Sequence, residues 1–319
     1  MKPFLALFFS IALLAASAQA EEIKIKAPNR SFFRKFDRLF ERFRETAFGR
    51  AFNRYFFKTG LYHAFWWRRP PEVFNRCGSG PADEKIRIVT ANLMLFPPPL
   101  GEQQEERIRV FAETIRPLNP DLILLQEIWD NNSLIIIADV FRDYNLAFSP
   151  ASLYNRSGLV TLSRNEFSKI DFIMFPLDIR HNPEELLAQK GALTTMIKRG
   201  TREIRVINSH LYSASADQDY RPNPGQLIFL KQMVDFSTGQ PTILAGDLNL
   251  KPVEVNEYAG KIFRSDPDRL PTAGSPKRKW KLDHILLYPR PGSAIFSRRV
   301  ESPVFFSDHS PLYGIANFK

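Results

Sequence analysis

Phe306-Ser307-Asp308-His309-Ser310-Pro311, close to the C-terminus, sets a carboxylate beside an imidazole between two apolar runs, Val304 to Phe306 and Leu312 to Ala316. Neighbouring residues on a strand point to opposite faces. Either one member of the pair is buried, or the backbone is irregular at this point. A metal or phosphate site accounts for an irregular strand end, and so does a plain polar turn between two strands. One dipeptide does not decide between them. The decision comes from five further stretches of the same design, each an apolar run ending in residues able to bind metal or phosphate.

Those stretches are Ile88-Val89-Thr90-Ala91-Asn92, Leu122 to Leu125 followed by Gln126-Glu127, Val206-Ile207-Asn208-Ser209-His210, Leu244-Ala245-Gly246-Asp247-Leu248-Asn249, and Asp283-His284 opening an apolar strand. A carboxylate after four apolar residues is costly to bury unless it is paired or bound to a cation. Three of the chain's five histidines, His210, His284 and His309, fall in these stretches. Oxygen donors from Asn92, Glu127 and Asp308 suit a hard divalent cation such as Mg²⁺, with Mn²⁺ or Ca²⁺ as alternatives. No His-x-x-x-His pair or cysteine cluster points to zinc. His309 is placed to take a proton from water, with Asp283 orienting its ring. His210 and Asn249 can donate hydrogen bonds to a phosphoryl group as charge builds. Asp247 can position the water or assist the leaving oxygen. The chemistry so assembled is metal-assisted phosphoester hydrolysis.

From Ile86 onward, strands and helices alternate. Strands are expected at 86–92, 122–127, 159–163, 172–175, 193–198, 204–210, 242–247, 283–288 and 312–317. Helices are expected at 105–115, 133–141 and 226–236. Many strands with interspersed helices fit an α/β fold of two packed sheets flanked by helices. No internal repeat stands out. Residues 76–85, with Gly78, Gly80 and Pro81, read as a linker into a catalytic domain spanning 86–319.

In their order and over about 230 residues, Asn92, Gln126-Glu127, His210, Gly246-Asp247-Leu248-Asn249, Leu282-Asp283-His284 and Ser307-Asp308-His309 resemble the endonuclease/exonuclease/phosphatase superfamily. The resemblance implies a four-layer α/β sandwich, two mostly antiparallel sheets between helical layers, and divalent-cation-dependent cleavage of phosphoesters. It further implies Glu127 as principal metal ligand with Asn92 beside it, Asp308 on the metal or its water, and His309 as general base oriented by Asp283. It implies His210 on the phosphate, and Asp247 and Asn249 on water and phosphate. Three features look more like the sphingomyelinase branch: Asn92 followed by the Pro-rich Leu93–Leu100, Leu125-Gln126-Glu127-Ile128-Trp129-Asp130, and Asn208-Ser209-His210-Leu211 followed by Arg221 and Gln226-Leu227.

The rest of the 319-residue chain bears on location and partner. Lys2, the apolar Phe4–Ala15 and Ala18-Gln19-Ala20 form a secretory signal pattern with a mature start at Glu21; an uncleaved anchor is the alternative. Export to the periplasm or beyond follows, with membrane association through the next segment. The lone Cys77 excludes an internal disulfide. The formal charge is +10, and residues 21–80 carry 14 Lys/Arg against 6 Asp/Glu, so the excess base lies mostly ahead of the catalytic region. There, Phe32, Phe36, Phe40 and Phe43 recur at helical steps with Arg34, Arg38, Arg42 and Arg44 between them. This 24–69 segment is a helical appendage that packs on the catalytic domain or lies on a phospholipid surface. Together with the resemblance to the sphingomyelinase branch, which implies such a substrate, this favours a phospholipid such as sphingomyelin. Nucleic acid is the alternative substrate, although Arg107, Arg109, Arg156 and Arg164 form no obvious track for it. Small phosphoesters, and a non-catalytic binding protein on the same fold, complete the readings. No protein partner is inferable.

Overall fold

The computed structural model describes residues 71–318 except 79, 97–100, 150–156, 177–184, 186–187, 214–220, 235–238, 276–277 and 290. The expected signal segment and the 24–69 appendage lie outside the described residues. In chain order the first elements are β1 (Glu72–Phe74), β2 (Lys85–Leu95), α1 (Gln104–Ile115), β3 (Leu122–Ile128), α2 (Asn131–Val140), β4 (Asn145–Phe148), β5 (Gly158–Ser163) and β6 (Phe167–Met174). There follow β7 (Gly191–Arg199), β8 (Arg202–His210), α3 (Asn223–Gln232), β9 (Thr242–Asp247), α4 (Pro252–Ala259) and β10 (Arg264–Ser265). The last are β11 (Ala273–Ser275), β12 (Arg278–Trp280), β13 (Asp283–Tyr288), β14 (Ser293–Arg299) and β15 (Leu312–Phe318).

Seven strands form one sheet in the order β1-β4-β5-β3-β2-β15-β14, and six form a second in the order β10-β13-β9-β8-β7-β6. Each sheet has a single parallel pair, β2 with β3 and β8 with β9; the other pairs are antiparallel. Parallel neighbours need a crossover, and α1 and α3 supply the two. The halves thus repeat one plan, two central parallel strands with a helix between them, which the sequence does not display as a repeat.

Alternation along the central strands builds the layers. Ile88, Leu122 and Leu124 of the first sheet meet Val206, Ile243, Ala245 and Ile285 of the second. Val89, Ile123 and Leu125 face the other way, onto Ile108, Phe111 and Ile115 of α1 and Leu134 and Ile137 of α2. Ile207, Leu244 and Leu286 face Leu227 and Leu230 of α3 and Val255 and Ala259 of α4. The result is a four-layer α/β sandwich. It explains why Leu122–Leu125 is apolar without interruption: both faces of the strand are covered.

Several boundaries move. Residues 72–77, which follow the 24–69 segment and run into the 76–85 stretch expected as a linker, belong to the sandwich: β1 pairs with β4 at the sheet edge, and the Arg76 and Cys77 N–H groups both donate to Asn145 Oδ1. The strand expected at 172–175 runs instead from Phe167 to Met174. Its outer face is largely solvated, so no apolar run marks it.

Candidate active site

The site lies at one rim, where the carboxyl ends of the two parallel pairs emerge. Register places its members. His210 is opposite Asp247, and Asp247 is opposite Asp283, across β8, β9 and β13. Asn92 is opposite Gln126 across β2 and β3. Gln126 turns inward between the sheets, where its Nε2 donates to Asn208 Oδ1 at 2.8 Å. Glu127 emerges at the rim through a left-handed backbone, φ 62°. Asn249 is left-handed too, at φ 47°. Such conformations are uncommon outside glycine and gather at functional sites.

The two sheets are joined at the rim by Asn92, whose Nδ2 donates to Glu127 Oε1 at 2.7 Å and to Asp247 Oδ2 at 3.1 Å. Its Oδ1 accepts from Met94 N at 3.0 Å. In this structure the amide nitrogen of Asn92, a residue expected as an oxygen ligand, holds the two carboxylates. His309 Nδ1 donates to Asp283 Oδ2 at 2.9 Å, and its Nε2 lies 3.7 Å from Asp247 Oδ2. His210 Nε2 approaches the same Asp247 oxygen at 3.5 Å. Asp247 therefore stands between two imidazoles. Asn249 N donates to Asp247 Oδ1 and its Nδ2 to Leu211 O, both at 3.1 Å. The Phe306–Pro311 stretch is no strand but a loop with one isolated bridge, His309 to Ala273. That irregularity lets Asp308 and His309 both serve the rim.

Burial and neighbouring charge set the protonation states. Burial raises Glu127, partly offset by the Asn92 amide. Burial likewise pushes Asp247 up to about 7, against the pull of His309. Burial opposes charge on His309, but Asp283 and Asp247 outweigh it and hold the imidazole well above its usual range. Asp283 is correspondingly held low: burial alone would raise it, and the His309 charge overcomes that. His210 is pushed well below the usual range by burial and by the Lys190 and His309 charges, so it stays neutral and can donate one hydrogen bond.

Two clusters can be weighed as a cation site. Asp247, Asp283 and His309 bring ligand atoms within 4.8 Å of one another. The Asp283–His309 hydrogen bond already commits the facing atoms of that group. Glu127 Oε2, like Asp283 Oδ1, is buried with no hydrogen-bond partner, but it is not tied up by a neighbouring imidazole. Asp308 lies near enough for its charge to act on Glu127, Arg107 and His309. An orphaned buried carboxylate oxygen beside a second carboxylate fits a divalent cation bound at Glu127 and Asp308. Such a cation supplies Lewis-acid polarisation of a phosphoryl oxygen.

A family model, Endonuclease/Exonuclease/phosphatase family, matches residues 89–309. The chain belongs to that family. Members of the endonuclease/exonuclease/phosphatase family are generally metal-dependent phosphoesterases. Among solved structures, D. rerio TDP2 complexed with single strand DNA product is 18% identical, covering 74% of this chain and 100% of that one, with a TM-score of 0.58. Sphingomyelinase C from Streptomyces griseocarneus is 16% identical, covering 74% and 99%, TM-score 0.57. Beta toxin from Staphylococcus aureus is 15% identical, covering 72% and 99%, TM-score 0.57. These likenesses establish the shared fold. No curated protein matches the chain in sequence.

Every residue expected in the site is at the rim. Around them lies support that, apart from Trp129 in the Leu125–Asp130 run, the sequence did not single out. Lys190, buried, donates to Glu185 Oε1 at 2.7 Å and Leu211 O at 3.1 Å, and its charge reaches Glu127, His210 and Asp247. Trp129 packs with its ring centroid 6.5 Å from that of His210, its buried Nε1 without a partner. Thr272 Oγ1 accepts from the N–H groups of Leu282 and Asp283. A lysine in a polar loop and a threonine between strands carry no sequence signal. Other residues quoted as family marks have local jobs. Gln226 Oε1 accepts from Tyr212 N at 2.9 Å, and exposed Arg221 pairs with Glu254. Arg107, counted with the catalytic region's cations, is buried and cannot join an exposed nucleic-acid track.

Proposed function

We propose that the protein is an exported, Mg²⁺-dependent phosphodiesterase that hydrolyses a phospholipid such as sphingomyelin by direct attack of water. The observation that carries the chemistry is the chain of polar contacts across the rim: hydrogen bonds from His309 to Asp283 and from Asn92 to Asp247 and Glu127, with Asp247 at 3.5–3.7 Å between His210 and His309. Asp283 fixes the His309 tautomer with the proton on Nδ1, which leaves Nε2 to accept a proton from water once the imidazole is neutral. Asp247, between Nε2 and His210, orients that water. Neutral His210 donates to a phosphoryl oxygen, and Glu127 and Asp308 hold the cation.

The lipid reading draws support from a hairpin beside the general base. β11 and β12 pair with each other, and β11 bridges to His309 through Ala273. Trp280 at the end of β12 is 38% exposed, and Leu270, just ahead of the hairpin, is 55% exposed. Exposed apolar groups next to a site suit a membrane interface better than a phosphate backbone. The chain's +10 formal charge and the fold shared with a DNA-processing protein favour nucleic acid as the second reading.

The test is head-group release from sphingomyelin vesicles against nicking of plasmid DNA, both with Mg²⁺ and with a Trp280→Ala arm. The lipid reading expects vesicle hydrolysis that falls in Trp280→Ala. DNA cleavage without lipid hydrolysis would move the substrate to nucleic acid.

A further inference from the structure

Arg107 stands on α1 with 2% of its surface exposed. Burying a guanidinium is costly unless its donors are satisfied and its charge is answered. Its donors are satisfied by main-chain carbonyls: Nε donates to Phe306 O at 2.6 Å, Nη1 to Met94 O at 3.1 Å and Nη2 to Leu93 O at 2.6 Å. Its charge is answered by Asp308 and Glu127, whose attraction works against the effect of burial.

The three carbonyls belong to two separate segments, and both are irregular. Beyond Asn92 the pairing of β2 with β3 shifts register, and Met94 is left-handed at φ 49°. Phe306 precedes the loop that carries Asp308 and His309. Carbonyls released from regular pairing must find donors when buried, and one planar fork serves both segments at once. A second staple lies alongside: Ser307 Oγ donates to Asn92 O at 2.6 Å and accepts from His309 N at 3.1 Å. An aliphatic side chain at 107 would leave three buried acceptors open and both segments untied.

We propose that Arg107 is a positioning residue of the cation site: by clamping the carbonyls of Leu93, Met94 and Phe306 it sets Asn92, which holds Glu127, at a fixed spacing from Asp308. This rests on the reading of Glu127 and Asp308 as the cation's carboxylates. Arg107 touches neither water nor substrate. It acts through the backbone of the residues that do.

The experiment compares full-length wild type with Arg107→Lys, which keeps the charge but loses the fork, and with Arg107→Met, which loses both; Glu127→Ala is the control. Mn²⁺ affinity is measured directly by water-proton relaxation, thermal unfolding checks folding, and hydrolysis of a simple phosphodiester is titrated with Mn²⁺. Arg107→Lys is expected to weaken Mn²⁺ binding about 10- to 100-fold, the usual effect of losing an outer-shell partner. Its kcat at saturating Mn²⁺ should stay near wild type, and Arg107→Met should bind more weakly still. Folded variants with wild-type Mn²⁺ affinity would overturn the proposal. So would loss of folding in both variants, because the fork would then hold the domain rather than the site. Wild-type Mn²⁺ binding that survives Glu127→Ala would place the cation elsewhere, removing the functional reading and this inference together.

Discussion

At the scale of single residues, the site depends on backbone that only a few side chains tolerate. Gly246, immediately before Asp247, sits at φ 149°, and a Cβ there would meet Ser209 O at 1.9 Å. Neither the conformation nor the space admits a methyl group. Gly246→Ala must push β9 away from β8 at the point where Asp247 faces His210. The expected outcome is a loss of about 1–3 kcal/mol in urea unfolding, with a fall in kcat larger than the stability loss explains. This glycine was legible as part of Gly-Asp-x-Asn, but a turn was the obvious use for it. The actual use, close approach of two parallel strands, depends on a neighbour 37 positions away in sequence and is invisible to local pattern. The left-handed Glu127 shows the same limit. Its carboxylate was conspicuous after four apolar residues; the backbone turn that delivers it to the rim was not.

At the scale of elements, strands with both faces covered were the easiest to read. β9 and β13 match expectation at both ends, because an apolar run bounded by polar residues leaves little ambiguity. Edge and short strands were missed, among them the edge strand β14, the β11–β12 hairpin and β4, four buried residues between β1 and β5, whose short or mixed sequences carry no periodic signal. Helix α4 was missed as well: eight residues opened by Pro252 and capped by Glu254 returning to Lys251 N. Helix α2 began two residues earlier than expected because its cap lies further upstream. Asp130 Oδ1 accepts from Ser133 N at 2.8 Å, and its Oδ2 from Ser133 Oγ at 2.8 Å. Asp130 drew notice as part of a family-like run, yet its visible work is to start a helix. Asp130→Ala should therefore cost about 1 kcal/mol in chemical denaturation while leaving kcat close to wild type. A collapse of kcat at intact stability would give Asp130 a role in the chemistry instead.

At the scale of the molecule, the sandwich turns scattered sequence into a single rim. Two crossovers, α1 and α3, bring the carboxyl ends of β2, β3, β8 and β9 to one edge, so residues from 92 to 309 converge. The order of the six polar stretches was legible; the duplication of the crossover was not, since the halves share topology without sharing sequence. The layer between the sheets carries this arrangement. Leu124, fully buried, belongs to the core that residues of both sheets form between them. Leu124→Ala should lower stability by about 2–5 kcal/mol, read as a lower urea midpoint at unchanged slope. An unchanged midpoint would mean that the sheets do not meet through this layer. Among the described residues no helix is long and apolar enough to cross a membrane.

On the proposed reading, one rim carries out cation-dependent phosphodiester hydrolysis, with Glu127 holding the ion and His309 taking the proton. The most direct measurement is hydrolysis of a simple phosphodiester by the full chain, titrated with Mg²⁺, for wild type, Glu127→Ala and His309→Ala. The account predicts saturable Mg²⁺ dependence in wild type, loss of that saturation in Glu127→Ala, and in His309→Ala a kcat lowered about 10²- to 10⁴-fold with Mg²⁺ dependence retained. Wild-type turnover in both variants, or turnover untouched by chelation of divalent cations, would contradict it.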